Sequence, residues 1–162
     1  VVCSAGARAV EDELTRLNVP QCDRILNPAP DRGMFSSIQC AAAWPGWKPE
    51  LTHWAIVLGD QPQVGAATLR TLIAFGAAHP AKICQPICHG HRRHPVLLPK
   101  AAFGALNGCT ATDLKQFLKS RAAEWAGFES DDAGLDFDMD TPADYERALR
   151  FWEEQRQNPS QE

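Results

Sequence analysis

The sequence predicts an α/β fold, a mainly parallel sheet flanked by helices, and three observations carry that prediction. Short apolar runs alternate with stretches of helical period along nearly the whole chain. The clearest run, Trp54-Ala55-Ile56-Val57-Leu58, is continuously apolar, the pattern of a strand buried on both faces, and stops at Gly59-Asp60-Gln61-Pro62. Near the C-terminus an apolar segment leads into Thr141-Pro142-Ala143-Asp144, which has the residues of a capped helix start.

Taken in order, Val1 to Gly6 reads as a short buried strand closed by a glycine turn. Residues 7–17 carry a helical stripe through Val10, Leu14 and Leu17. Arg24-Ile25-Leu26 is a second short strand, ended by Asn27-Pro28 and the turn-rich stretch to Gly33. Met34 to Trp44 is a helix stopped by Pro45-Gly46. After the Trp54–Leu58 strand a helix runs over 66–78, with Leu69, Leu72 and Ile73 on one face and Pro80 beyond its end. Ile83–Cys88 and Pro95–Leu98 form strands joined by the basic turn His89 to His94. Two short helices follow, over 101–106 and 112–119. Leu135–Met139 is the last strand, and Tyr145, Ala148, Leu149 and Trp152 are the apolar stripe of the final helix.

With 162 residues the chain suits one domain with a real core, placed over 1–156 with a polar tail at 157–162. It is 44% hydrophobic and 22% charged, ordinary for a globular protein and unlike a disordered one. A net charge of −4 gives no support for binding nucleic acid or a membrane surface, so any positive charge for an anionic substrate must be local. No apolar run reaches membrane-spanning length and no signal peptide is evident, which gives a cytoplasmic reading. The six cysteines then read as reduced, mostly buried thiols.

Two acidic features point to chemistry. Asp60 follows a predicted buried strand, at the carboxyl edge where open α/β sheets bind ligands. A carboxylate there is costly unless it is paired or coordinates a cation, although a turn in which Asp60 caps the next helix would also explain it. Asp136-Phe137-Asp138-Met139-Asp140, if extended, places three aspartates on one face and the two apolar residues on the other. Mutual repulsion makes a cation or a basic group their natural partner. Hard oxygen ligands suit Mg²⁺, which takes one or two protein carboxylates and completes its shell with water and phosphate. A solvated acidic edge is the competing reading, stronger for Asp136 than for Asp140 beside its capped helix.

The order of these motifs resembles the molybdenum cofactor cytidylyltransferases within the wider nucleotidyltransferase family. The matching residues are Asn27-Pro28, Gly33-Met34-Phe35-Ser36-Ser37-Ile38, Leu58 to Pro62, Gln85-Pro86, Gly90 through Pro95-Val96-Leu97, and Asp138-Met139-Asp140-Thr141-Pro142 with Asp144. The resemblance implies a Rossmann-like nucleotidyltransferase fold and transfer of a nucleoside monophosphate, CMP from CTP in preference to GTP, to a phosphorylated pterin or similar acceptor. Pyrophosphate is the leaving group, and catalysis rests on positioning and electrostatics. It further implies that Asp60 and Asp140 hold Mg²⁺, with Asp138 in reserve. Gln61 and the turn of Arg92, Arg93, His94 and Pro95 then meet substrate, and Gly33, Ser36 and Ser37, at a helix start, border a nucleotide or pterin pocket.

Two departures from the family pattern stand out. Relatives begin with a strand and a glycine-rich loop carrying arginine and lysine, whereas Val1–Gly6 aligns by spacing with their second strand. A strand-loop-helix unit of roughly 30 residues is therefore expected to be missing, and with it the middle of the sheet. The sequence is then a truncated form, a non-catalytic binding module (a pseudo-enzyme), or a chain whose strands pair with a second copy. In addition, Gly108-Cys109-Thr110-Ala111-Thr112-Asp113 replaces a Gly-Asp-x-Gly motif and Arg93 stands where relatives often have glycine, which bears on acceptor identity. Cys84, Cys88, His89, His91 and His94 suggest zinc by composition, but their spacing fits no closed structural pattern and the strand reading sends both cysteines into the sheet.

Overall fold

The computed structural model describes residues 1–4 and 6–157, with side chains through residue 154; most of the predicted tail, 158–162, lies outside them. The elements run β1 (Val2–Ser4), α1 (Arg8–Arg16), β2 (Ile25–Asn27), α2 (Met34–Ala43), β3 (His53–Ile56), α3 (Ala66–Ala78), β4 (Ile83–Cys88), β5 (His91–Arg92), β6 (Val96–Pro99), α4 (Lys100–Gly104), α5 (Leu114–Ser120), β7 (Trp125–Glu129) and α6 (Pro142–Gln157). No helix among the described residues is long and apolar enough to cross a membrane. All six cysteines are free thiols.

The chain divides into two compact units, residues 1–52 with 100–123 and residues 53–99 with 124–162. In the first, β1 and β2 pair in parallel, Cys3 opposite Leu26, and α2 packs on both strands. Its core includes Cys3, Leu14, Ile25, Phe35 and Ile38, and the tryptophans pack at its edge: Trp47 meets Trp44 edge-on at 4.9 Å and Phe103 at 6.0 Å.

The second unit is a mixed five-stranded sheet organised around β4. One edge of β4 pairs antiparallel with β5 and β6, the other parallel with β7, and β6 continues antiparallel to β3. Helix α3 covers this sheet, with Leu72, Cys84 and Leu97 buried together and Phe75, Ala126 and Phe128 against them. The helix approaches closely because position 76 has no side chain: a Cβ there would lie 2.3 Å from Leu97 Cδ2.

The structure corrects several details of the sequence reading, and in α1 it buries Leu14 but leaves Val10 and Leu17 of the expected stripe exposed. The Trp54–Leu58 run is not a strand buried on both faces; β3 covers His53–Ile56, Ala55 is exposed and Val57 is 56% exposed. The reason is that β3 pairs with β6 alone among the described residues, so it is an edge strand. Leu135–Met139 is not a strand either: Ala133–Asp136 is a single 3₁₀ turn, with Asp132 accepting from the Gly134 amide at its start, and the following residues are irregular. The strand in this region is β7, which lies earlier and whose pattern is broken by Gly127. That glycine is required because the Trp125 indole lies over it, and a Cβ at position 127 would sit 2.4 Å from the ring. Finally, Ile73 is 65% exposed, and the α6 stripe buries Ala148 while leaving Tyr145, Leu149 and Trp152 lining an open groove with Met139 and Pro62.

The start of α6 is as the sequence predicts. The Thr141 amide donates to Asp144 Oδ2 at 3.0 Å, and the Asp144 amide donates back to Thr141 Oγ1 at 3.2 Å, a reciprocal capping box. Because α3 has no room at position 76, Gly76→Val is expected to lower unfolding free energy by about 1–3 kcal/mol, read by denaturant titration.

Candidate functional site

Three segments of the second unit gather at the ends of β3 and β4: the turn Gly59–Gln63, the stretch His89–His94, which the sequence reads as a turn but which holds the short strand β5, and the stretch 132–140. Asp132 fixes the frame. Its Oδ2 accepts from the Gly65 amide at 2.8 Å and the Thr68 hydroxyl at 2.6 Å, and its Oδ1 accepts from the Gly134 amide at 2.9 Å. One carboxylate thus caps α3 and closes the 3₁₀ turn. Close to it, Gln63 Nε2 donates to the Phe137 carbonyl at 3.0 Å, and buried Gln61 donates through Nε2 to Asp138 Oδ1 at 2.6 Å.

The aspartates expected on one face have separate surroundings. Asp136, in the 3₁₀ turn, accepts from His89 Nδ1 at 2.6 Å and forms an ion pair with Arg93. Burial raises its pKa, but the His89 bond and the Arg93 charge outweigh that and hold the carboxyl below its usual range. Asp138 is bonded to Gln61, while Asp60, Asp138 and Asp140 are all exposed. Among the described residues, Asp60, Asp138 and Asp140 do not form a set of three ligand atoms within 4.8 Å of one another; Cys88, His89 and Asp136 do. An open arrangement of this kind can supply one or two carboxylate oxygens, leaving other positions for water or phosphate.

His94 lies among these groups. Its Nδ1 is 3.4 Å from the Ile56 carbonyl oxygen, and burial lowers its pKa against the opposing pull of that carbonyl and of the Asp60 and Asp138 charges. Pro95 after it is buried, joined by a cis peptide bond. The two arginines of the turn already have internal partners. Arg92 lies over the Trp125 ring at 3.8 Å from its centroid, and Arg93 holds Asp136 while its backbone is fixed by Pro86 and Gln85.

The first unit holds the other predicted residues. Gly33, at φ 83°, is the exposed residue before α2, and nothing would lie within 4 Å of a Cβ there. Ser36 is buried, donating to the Gly33 carbonyl at 2.7 Å and accepting from Asn27 Nδ2 at 2.8 Å. Asn27 also donates to Ser37 Oγ at 2.9 Å and accepts from the Ala29 amide at 2.9 Å. The hub of this loop is therefore Asn27, which the sequence offered only as half of an Asn-Pro turn. Asp132 was likewise missed, because an aspartate in a polar stretch carries no signal of the helix it caps 64 residues away.

Comparison with known proteins matches this architecture. The family model described as "MobA-like NTP transferase domain" matches residues 1–125. The chain belongs to that family. The domain therefore belongs to the nucleotidyltransferases, whose substrate class is nucleoside triphosphates. It is similar to the crystal structure of Rv0371c from Mycobacterium tuberculosis H37Rv, at 25% identity and TM-score 0.68 over 92% of this chain and 74% of that one. The manganese complex of Rv0371c gives 26% identity and TM-score 0.62 over 92% and 76%. Molybdopterin-guanine dinucleotide biosynthesis protein A from Archaeoglobus fulgidus, at 14% identity and TM-score 0.59 over 94% and 78%, shares the fold. No curated protein sequence matches this MobA-like domain.

The partial burial of His94 has a thermodynamic consequence. With its folded pKa below the ordinary 6.5, the unfolded chain takes up a proton first as pH falls. Stability is accordingly expected to decline as pH drops through about 6.5 toward the folded value, measured by denaturant titration in chelator. His94→Gln should flatten that part of the profile. Asp132→Ala, which strands the Gly65 and Gly134 amides, should cost about 2 kcal/mol in the same assay.

Proposed function

We propose that this MobA-like domain is a divalent-metal-dependent transferase. It moves a nucleoside monophosphate, CMP from CTP in preference to GMP from GTP, onto a phosphorylated pterin of the molybdopterin class, in the cytoplasm. An acceptor phosphate oxygen bonds to the α-phosphorus, the bond from that phosphorus to the bridging oxygen breaks, and pyrophosphate leaves. The main support from geometry is that the turn carrying Asp60 is tied to the 132–140 stretch: Gln61 bonds Asp138, two residues before Asp140, and the charges of Asp60 and Asp138 both act on His94.

The donor set suits Mg²⁺. Asp60 and Asp140 are proposed as its ligands with Asp138 in reserve, all three hard oxygen donors exposed to solvent. Rv0371c, similar in fold, was crystallised with manganese, an ion that favours the same donors. When bound, the ion supplies neutralisation of phosphate charge and alignment of the reacting groups. Gln61 holds Asp138 in place, and His94, kept neutral by burial, can accept or donate a hydrogen bond without adding charge. The segment of Arg92, Arg93, His94 and Pro95 is proposed to face the acceptor phosphate, with Arg92 exchanging its Trp125 ring for phosphate. Gly33 and Ser37 are proposed as substrate contacts of the first unit, and Ser36 supports their loop.

The test uses the protein translated from its complete reading frame, assayed for pyrophosphate release from CTP with a phosphorylated pterin acceptor. Release is expected to require Mg²⁺ or Mn²⁺ and to fall by about a hundredfold or more in Asp60→Ala. An Asp60→Ala rate equal to the parent's would remove the metal assignment.

A further inference from the structure

Cys88, His89 and Asp136 lie apart from the carboxylates proposed for Mg²⁺, and the reaction above makes no use of their combined chemistry. We propose that Cys88 Sγ, His89 Nδ1 and Asp136 Oδ2 form a second metal site, for zinc-class divalent ions, with water in the fourth position.

The distances support the assignment. Cys88 Sγ is 3.5 Å from His89 Nδ1 and 3.6 Å from Asp136 Oδ2, and His89 Nδ1 is 2.6 Å from Asp136 Oδ2. Tetrahedral zinc, with a sulfur ligand at about 2.3 Å and nitrogen or oxygen at about 2.0–2.1 Å, places sulfur about 3.5 Å from the other two ligands and those two about 3.4 Å apart. Two of the three edges are already at that spacing. The third must open by under about 1 Å, by rotation of a His89 side chain that is 77% exposed.

The backbone explains how neighbours in sequence come to share a face. Successive side chains of a strand point to opposite faces, so Cys88 and His89 would normally diverge. The chain instead leaves β4 at His89 with φ 49°, a left-handed conformation uncommon outside glycine, and the imidazole turns back toward the sulfur. Asp136 reaches the same point from the 3₁₀ turn that Asp132 stabilises. Its other oxygen remains with Arg93, so the metal and the arginine do not compete for one atom.

The donor set selects the ion. A thiolate and an imidazole favour zinc and its neighbours, whereas the oxygen-only set of Asp60, Asp138 and Asp140 favours Mg²⁺ or Mn²⁺. On binding, the Cys88 thiol releases its proton to water, and the imidazole carries its proton on Nε2. The metal then clamps the end of β4 to the 3₁₀ turn, and through Asp136 it stiffens the position of Arg93.

Titrating the full protein with Co²⁺ as a zinc probe tests the site. A thiolate-to-cobalt charge-transfer band and visible bands of four-coordinate intensity are expected at one equivalent, displaced by Zn²⁺. Cys88→Ser should abolish the charge-transfer band, His89→Ala should weaken binding by about tenfold or more, and Asp60→Ala should leave both unchanged. His89 is exposed, and a melting temperature in chelator equal to the parent's would confirm that His89→Ala is folded. Zinc should raise the parent's melting temperature and not that of His89→Ala. Absence of the band, its survival in Cys88→Ser, or equal affinity in His89→Ala would overturn the assignment. Loss of pyrophosphate release in Asp60→Ala with the cobalt spectrum intact would separate the two sites.

Discussion

Like charges crowded at the ends of one sheet must each find a donor or a cation, and the second unit is arranged around that constraint. Asp132, Asp136, Asp138 and Asp140 fall within nine residues of sequence. The chain eases their repulsion by sending three of them to different neighbours and leaving Asp140 exposed to solvent. Asp132 takes two backbone amides and a hydroxyl, Asp136 takes a histidine and an arginine, and Asp138 takes the amide of Gln61. These bonds are what connect the irregular 132–140 stretch to α3, the β4–β5 turn and the turn after β3. Removing any one leaves a charge near others with less to offset it.

This division also sorts the groups by chemistry. The carboxylates bound by internal donors serve as framework, while the exposed oxygens of Asp60 and Asp140 are left for the proposed hard cation. Cys88, the thiol in this acidic neighbourhood, sits with an imidazole and a carboxylate that suit a softer ion. β4 makes both arrangements possible. It is bonded on both edges and nearly all its residues are buried, so the turn it launches at His89 starts from a fixed position.

Much of the fold was legible because it depends on local pattern. The bounds of α3 and β4 and the capping box of α6 follow from periodicity, a terminal proline and the Thr-Pro-x-Asp order. What failed depends on partners distant in sequence. Trp54–Leu58 is apolar enough for a central strand, yet β3 has one strand neighbour among the described residues. Three alternating aspartates suggested an extended edge, but Asp132 folds the chain into a 3₁₀ turn and places Asp136 in a different setting from Asp138. β7 was hidden because a tryptophan folds over its glycine, a packing solution without sequence periodicity. For the candidate site, the turn at Gly59–Gln61 was legible from its residues, whereas the end of β3 at Ile56 and the internal commitments of Arg92, Arg93 and Ser36 were not.

The claim that two carboxylates after β3 and before α6 hold the catalytic ion is tested most directly by locating Mn²⁺ in crystals of the full protein grown with CTP. An anomalous difference peak is expected within bonding distance of Asp60 and Asp140 oxygens and of a nucleotide phosphate oxygen. A nucleotide-bound manganese peak remote from both aspartates would contradict the claim.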